Sequence, residues 1–166
     1  KDFNWFSFTF LNSIKNIGKV LLILSPWDDP IPIKRAWCLY EIYQALEENS
    51  VEFTIHLPRS QVKELQAAVT EDSKCVIRAL SDIQAENAQA AVNSDREMLF
   101  RVIQESEGGF SHVNQNVKKG LRSWYINQLQ LLAQQDPHND RFLIHTANVM
   151  RDFGFLDESL QYYTDV

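Results

Sequence analysis

The sequence has little of what marks several common classes of protein. It contains two cysteines, Cys38 and Cys75, which lie far apart and form no Cys-x-x-Cys pair, so we expect no disulfide framework and a reducing, cytoplasmic environment. No apolar run reaches the roughly 18 to 20 residues that a membrane-spanning helix needs. Residues 1–10 also lack the charged and then apolar leader of a signal peptide. These absences predict a soluble intracellular chain.

Positive charge is scarce as well. The chain has 16 Lys and Arg residues against 22 Asp and Glu residues, its net charge is −6, and no basic cluster is present. Because phosphate contacts need such a cluster, we expect neither nucleic acid nor an anionic membrane as a partner. The four histidines have no metal-ligand spacing, and Asp28 and Asp29 lack the further oxygen ligands of a calcium loop, so no metal site is predicted. A Walker motif and a Gly-x-Ser-x-Gly elbow are also absent.

The pattern of apolar residues predicts an α/β fold. The apolar run at residues 19–24 predicts a strand that is buried on both faces. Residues 26–32 contain three prolines, which predicts a loop. A helical pattern follows over residues 33–46, and the alternation of apolar residues at 51–57 predicts a second strand. Strand, helix and strand make a βαβ unit whose strands are parallel.

Further helices are predicted on either side of this unit. Residues 4–16 carry apolar side chains at helical spacing, and we expect this helix to cover a face of the sheet. Residues 61–71 predict another helix, which Ser60 is placed to cap. Residues 75–83 fit either a short edge strand or a helical turn, and we favour the strand.

The rest of the chain has helical patterns. Ser94 and Glu97 have the spacing of a capping box, which begins a helix with a buried stripe of Met98, Val102 and Ile103. A long helix then begins near Phe110, and its apolar face is predicted to consist of Val113, Val117, Leu121, Trp124, Gln128 and Leu131. Its length of roughly 35 Å predicts a connector at residues 110–135 that leaves the α/β part. A turn-rich break at residues 134–139 precedes two shorter helices.

Residues 140–166 carry a helix-turn-helix pattern of packing residues. These residues are Leu143, Ala147, Met150, Gly154, Leu156, Ser159, Leu160 and Tyr163. The pattern resembles one tetratricopeptide repeat, in which small residues let two helices approach closely and a glycine frees the turn. Because one repeat cannot bury its own apolar face, the resemblance implies that more repeats follow and that the chain is a fragment. The alternative is an ordinary helical hairpin that packs back on the α/β core.

One carboxylate, Glu41, follows the first predicted strand and the proline-rich loop. Open α/β sheets build ligand sites outside the carboxyl ends of their strands, so we expect Glu41 beside a strand end and take it as the first candidate for chemistry. The alternatives are an acid on the helix surface and an ion-pair partner of Arg35.

The strand ending in Leu24-Ser25 and the later run Trp37-Cys38-Leu39-Tyr40-Glu41-Ile42 resemble the corresponding elements of Toll/interleukin-1 receptor (TIR) domains. The resemblance implies a flavodoxin-like fold and, as in the enzymes of that family, cleavage of the bond between nicotinamide and ribose in NAD by the glutamate at position 41. A carboxylate can stabilise the positive charge that develops on the ribose. The ligand-pocket candidates that follow are Ser25, Trp27, Arg35, Trp37 and Cys38. The alternative for the Trp37 indole and the Cys38 thiol is core packing.

Together the two resemblances imply a TIR-like domain at residues 1–109, a connector at 110–135 and a tetratricopeptide-like helix pair at 140–166. This organisation is similar to that of multidomain proteins with nephrocystin-like or kinesin-light-chain-like repeats. We therefore expect a signalling or assembly scaffold that binds other proteins or peptides through its repeats and has no cofactor. The alternative is an NAD-cleaving hydrolase that uses Glu41 as its catalytic residue and NAD as its substrate.

Overall fold

The computed structural model describes residues 3–164 and is mostly helical, with one small parallel sheet. The elements are α1 (Phe3–Ile17), β1 (Lys19–Ile23), α2 (Ala36–Glu47), β2 (Glu52–His56), α3 (Arg59–Glu71), α4 (Cys75–Ser81), α5 (Asn93–Glu105), α6 (Gly109–Gln135), α7 (Asp140–Asp152) and α8 (Leu156–Thr164). Two short 3-10 turns lie at Ile31–Lys34 and Ala85–Asn87. The mixed α/β class is confirmed, while the flavodoxin-like and TIR-like detail stays a prediction.

The strands β1 and β2 pair in parallel, and α2 connects them, as the βαβ prediction required. The prediction that β1 is buried on both faces is wrong. Leu22 is buried, whereas Leu21 and Ile23 on the opposite face are 61% and 44% exposed. Their cross-strand partners Thr54 and His56 are exposed too, so within residues 3–164 this face of the sheet carries no covering helix. An apolar run shows that a strand can be buried, but the neighbouring elements decide which faces are covered.

Helix α1 confirms the helix predicted at residues 4–16. Near its end Ile14 is buried against Ala45 of α2 and Val51 just before β2, so this end of the helix packs on the βαβ unit. Phe8 is 69% exposed, and the side chains of the other aromatic residues of the predicted stripe lie outside the described ones. Among the described residues, no helix is both long and apolar enough to cross a membrane.

The segment that begins at Cys75 is helix α4, and the preference for a strand there is wrong. Val76, Ala79 and Leu80 are all buried in the main core. In a strand, Ala79 would point to the face opposite Val76 and Leu80, whereas helical spacing of three and four places all three on one side. The alternation of residues in this segment was therefore compatible with a strand, but Val76, Ala79 and Leu80 must all face the core, and only a helix allows this.

Two predicted helix caps are also wrong. Ser60 lies inside α3, because that helix begins at Arg59 directly after Pro58, and Ser94 lies inside α5, which begins at Asn93. The N-cap residues of these helices are Pro58 and Val92, and neither makes a side-chain cap hydrogen bond. Serine, asparagine and arginine can all occupy the first turn of a helix. The residue at which a helix begins can therefore differ by one or two positions from the residue that the sequence predicts. In α5 the fully buried residues are Leu99 and Ile103, with Met98 and Val102 half-buried beside them.

Helix α6 follows Gly108, whose φ of +75° is a left-handed conformation that favours glycine. Its buried face begins as predicted with Val113, Val117 and Leu121 and then continues as Tyr125, Leu129 and Leu132. Leu131, predicted on that face, is 51% exposed, and Trp124 and Gln128 are only half-buried. Helix α6 packs on α2, α4, α5 and α7, so several neighbours determine which of its residues are buried.

The same core cluster joins α6 to the α/β part and to α7. Helix α6 therefore packs along its length within the core, which differs from a connector that leaves it. The boundaries predicted at residues 109 and 135 stay predictions.

Helices α7 and α8 form the hairpin expected from the sequence, and Gly154 in the turn has a φ of +88°. Helix α7 packs on α3 and α6 and buries Phe142, Val149 and Met150 in the main core. His145 Nδ1 also lies 2.8 Å from the carbonyl oxygen of Val69 in α3. Helix α7 therefore packs back on the core, as the alternative to a repeat predicted. The outer face of α8 does not pack on the core and is exposed.

Candidate functional site

Glu41 lies in the second turn of α2 and is half-buried. Burial raises the pKa of its carboxyl group, and the nearby positive charge of Arg35 opposes this rise. The carboxylate opens on a cavity of about 260 Å³, the Glu41 cavity, which is also lined by Ser13, Ile14, Ile17, Lys19 and Val20. These walls come from the end of α1 and the beginning of β1, and three of their five residues, Ile14, Ile17 and Val20, are apolar.

The expected position of Glu41 beside the carboxyl end of β1 is wrong. Lys19 and Val20, which line its cavity, are the first two residues of that strand. The return helix of a βαβ unit runs back along the strand, and at 1.5 Å per residue the five steps from Ala36 to Glu41 cover about 7.5 Å. The side chain is thereby carried away from the crevice where α/β sheets bind ligands.

Two of the predicted pocket residues hold neighbouring helices in place. Trp27 is 6% exposed, and its backbone N–H donates to Gln61 Oε1 in α3 at 2.8 Å. Its carbonyl oxygen accepts a hydrogen bond from the buried hydroxyl of Tyr125 in α6. Trp37 is half-buried, and its indole N–H donates to Asp95 Oδ2 in α5 at 3.2 Å. The backbone of Trp27 and the indole of Trp37 therefore contact different helices, and neither residue lines the Glu41 cavity.

The other three candidates, Ser25, Arg35 and Cys38, do not line the Glu41 cavity either. Arg35 is exposed and forms an isolated parallel bridge with Gln89, while its charge influences both Glu41 and Cys38. Burial raises the pKa of the half-buried Cys38 thiol, which disfavours the reactive thiolate. Ser25 accepts a hydrogen bond from the Ile31 N–H at its carbonyl oxygen, 3.2 Å away. The six predicted residues do not converge on one pocket.

The hairpin residues divide into an inner and an outer group. The inner group, Leu143, Ala147, Met150 and Ser159, is buried. Ser159 Oγ donates to the Ala147 carbonyl oxygen at 3.0 Å, which joins the two helices at their small residues. The outer group, which we name the α8 apolar row, consists of Leu156, Leu160 and Tyr163, and these side chains are 59%, 61% and 37% exposed. Their spacing of four and three residues places them on one side of the helix.

The hairpin also orders part of its own outer surface. Tyr163 Oη donates to Asn148 Oδ1 at 2.6 Å and accepts from Arg151 of α7. These contacts fix the tyrosine beside the two exposed leucines.

A second cavity, which the sequence did not predict, lies beside the proline-rich loop. We name it the loop cavity, and its volume is about 340 Å³. Its walls come from the 3-10 turn at Ile31–Lys34, from the end of α4 and from the segment around the turn at Ala85–Asn87. The prolines after the first strand predicted the loop that forms one wall of this cavity. The opposite wall was not predicted, because residues 75–83 were expected to form a strand and form helix α4 instead.

Within residues 3–164, no group of three or more His, Cys, Asp or Glu side chains is arranged to hold a metal ion. No protein-family model matches the chain, and no curated protein or solved structure matches it either. The functional argument therefore depends on the geometry of the molecule itself.

Proposed function

We propose that this protein is an interaction scaffold that binds a helical partner through the α8 apolar row. The single observation that supports this most directly is the exposure of Leu156, Leu160 and Tyr163 on one side of a helix whose other side is packed. Apolar side chains scattered singly over a surface need no explanation, but a row on one helix face is typical of a face that packs against another helix.

The energy available on this surface is substantial. Burying a leucine side chain fully contributes about 1.5 to 3 kcal/mol, and Leu156 and Leu160 are each more than half exposed. Burial of both would therefore favour association without any change inside the hairpin. The buried contact between Ser159 and Ala147 keeps α8 in place while its outer side remains accessible.

We take the partner to be another helical hairpin of the tetratricopeptide kind. Such repeats stack so that each covers the apolar face of its neighbour, and small inner residues with a larger outer row agree with this arrangement. The proposed role is signalling or assembly, in which the repeats supply the binding surface and the α/β part supplies a second one.

A consensus tetratricopeptide hairpin joined after Val166 tests this proposal. The substitution Leu160→Ser is measured in the chain alone and in the extended chain, with urea unfolding followed by circular dichroism. In the chain alone we expect a change within about 0.5 kcal/mol, because the side chain is exposed. In the extended chain we expect the loss to be larger by about 1 to 2 kcal/mol, because the 61% of the Leu160 side chain that is exposed would then be buried.

Ile31→Ser is the matched control, because Ile31 is 60% exposed and lies in the 3-10 turn beside the loop. Its effect should be the same with and without the added hairpin. Equal effects of Leu160→Ser in the two chains would show that the α8 apolar row does not receive a repeat.

The second candidate function is NAD cleavage by Glu41. One observation favours it, namely a half-buried carboxyl group with a raised pKa that faces a cavity. The test is release of nicotinamide from NAD by the wild-type protein and by Glu41→Gln. Release that the substitution abolishes would assign the activity to this carboxylate, and no release from well-folded protein would remove this candidate.

A further inference from the structure

We infer that the loop cavity binds a small organic ammonium ion, a positively charged amine carried on an apolar body. This site is separate from the α8 apolar row and does not depend on the scaffold proposal. Its volume of about 340 Å³ is at the lower end of the range of about 300 to 1,000 Å³ that small-molecule pockets occupy.

The floor of the cavity is apolar and already desolvated. It is formed by five buried residues from three segments, Pro30, Ile33, Ala79, Ile83 and Ala88. Ile33 and Ile83 are each 6% exposed, so only a small part of these side chains meets solvent. A hydrocarbon or aromatic body placed on this floor would be removed from water on its inner side.

The rim carries an excess of negative charge. Its charged residues are Asp29, Lys34 and Asp82. Lys34 forms an ion pair with Asp29, so its charge is already compensated. Asp82 has neither a side-chain hydrogen bond nor an ion pair within the described part of the chain. One carboxylate at the mouth of the cavity is therefore available to a ligand.

The position of Asp82 strengthens this preference for a cation. Asp82 is the residue at the C-cap of α4, where the carbonyl groups of the last turn carry the negative end of the helix dipole. Lys118 Nζ donates to the Ser81 carbonyl oxygen at 3.3 Å and offsets part of this charge, whereas among the described residues it makes no ion pair with Asp82. The remaining rim residues, Gln84, Asn87 and Gln89, are uncharged, and Asn87 Nδ2 donates to Gln84 Oε1 at 2.9 Å. An ammonium group is thus favoured over a carboxylate or a phosphate.

The chemistry favours an amine over a bare metal ion. A single available carboxylate provides too few oxygen ligands for calcium or magnesium, which take six or more including water. An ammonium group needs only a charged acceptor and a few further acceptors, and its apolar body uses the floor. Both parts of the cavity are then occupied by one molecule.

The experiment uses three probes of the same shape, 2-phenylethylamine, 2-phenylethanol and 3-phenylpropanoate, titrated into the full chain and followed by amide chemical shifts. We expect saturable shifts from the amine at residues 29–34 and 79–89. The alcohol should bind about threefold more weakly, because it carries no positive charge to pair with the exposed Asp82 carboxylate. The propanoate should bind more weakly still.

The substitution Asp82→Asn preserves shape and removes the charge, so it should weaken amine binding about threefold and leave alcohol binding unchanged. Asp157→Asn is the control, because Asp157 is an exposed carboxylate on α8, away from this cavity. Ala79→Val narrows the floor and should weaken both the amine and the alcohol. Equal binding of amine and alcohol, an unaffected Asp82→Asn variant, or an absence of shifts at these residues would each overturn the inference.

Discussion

Thr146 in α7 carries a hydroxyl group that the fold leaves without a partner, and its replacement by valine should stabilise the protein. The side chain is 0% exposed, and within the described residues Thr146 Oγ1 has no hydrogen-bond partner. A buried polar group without a partner costs about 1 to 3 kcal/mol in lost hydration. Valine has nearly the same shape and a similar helix propensity, so Thr146→Val removes this cost with little change in packing.

We expect Thr146→Val to raise the free energy of unfolding by about 1 to 2 kcal/mol, part of the desolvation cost. For a chain of this size, each kcal/mol shifts the melting temperature by about 2 to 4 °C. Thermal unfolding followed by circular dichroism measures this shift. The matched control is Thr70→Val, because Thr70 Oγ1 donates to the Gln66 carbonyl oxygen at 2.8 Å. This control should be neutral or slightly destabilising, and a destabilised Thr146→Val variant would refute the reasoning.

Two further predictions concern groups in the core and in the Glu41 cavity. Tyr125→Phe should lower the free energy of unfolding by about 1 to 3 kcal/mol, because the carbonyl oxygen of Trp27 then loses its buried donor, as urea unfolding can measure. Glu41→Gln should make stability less dependent on pH. The folded state raises the pKa of this carboxyl group, so the wild-type protein loses stability as the pH rises from the unfolded to the folded pKa.

Each of these predictions has its own control and contrary outcome. Tyr163→Phe removes an exposed hydroxyl that donates to Asn148, and its effect should stay within about 0.5 kcal/mol. If Tyr125→Phe changes the free energy of unfolding as little as Tyr163→Phe, the buried hydrogen bond does not contribute the predicted value of about 1 to 3 kcal/mol. For Glu41, the variant should match the wild-type protein at low pH and exceed its stability near neutral pH. If the free energies of unfolding of the wild-type protein and of Glu41→Gln change in parallel with pH, the raised pKa of Glu41 does not cause the pH dependence.

Much of the local structure could be predicted from the sequence. The apolar run before the prolines and the alternating run after Asn49-Ser50 predicted β1 and β2, and the helical pattern between them predicted α2. Gly154 was predicted in the turn of the hairpin, and it adopts there a positive φ that other residues avoid. These signals are local, so they need no knowledge of the neighbouring elements.

The candidate sites were predicted less well. The motif around Glu41 identified a half-buried carboxylate, but the pocket candidates around it separate, because the Trp27 backbone binds α3 and the Trp37 indole binds α5. The residues after Cys75 fit a strand or a helix by their pattern alone, and only the burial of Ala79 on the same side as Val76 and Leu80 decides for the helix. Without α4 in place, the loop cavity could not be predicted.

The sequence by itself determined the α/β class, the helical hairpin and the positions of its small and large residues, because these follow from spacing and backbone preference. Only the tertiary structure decided that α6 packs in the core along its length, that Leu21 and Ile23 are exposed, and that Asp82 lies at the mouth of a cavity. The physical reason is that burial and an unpaired charge are properties of contacts between distant segments. The periodicity of one segment indicates which side is apolar, but its neighbours determine whether that side is covered.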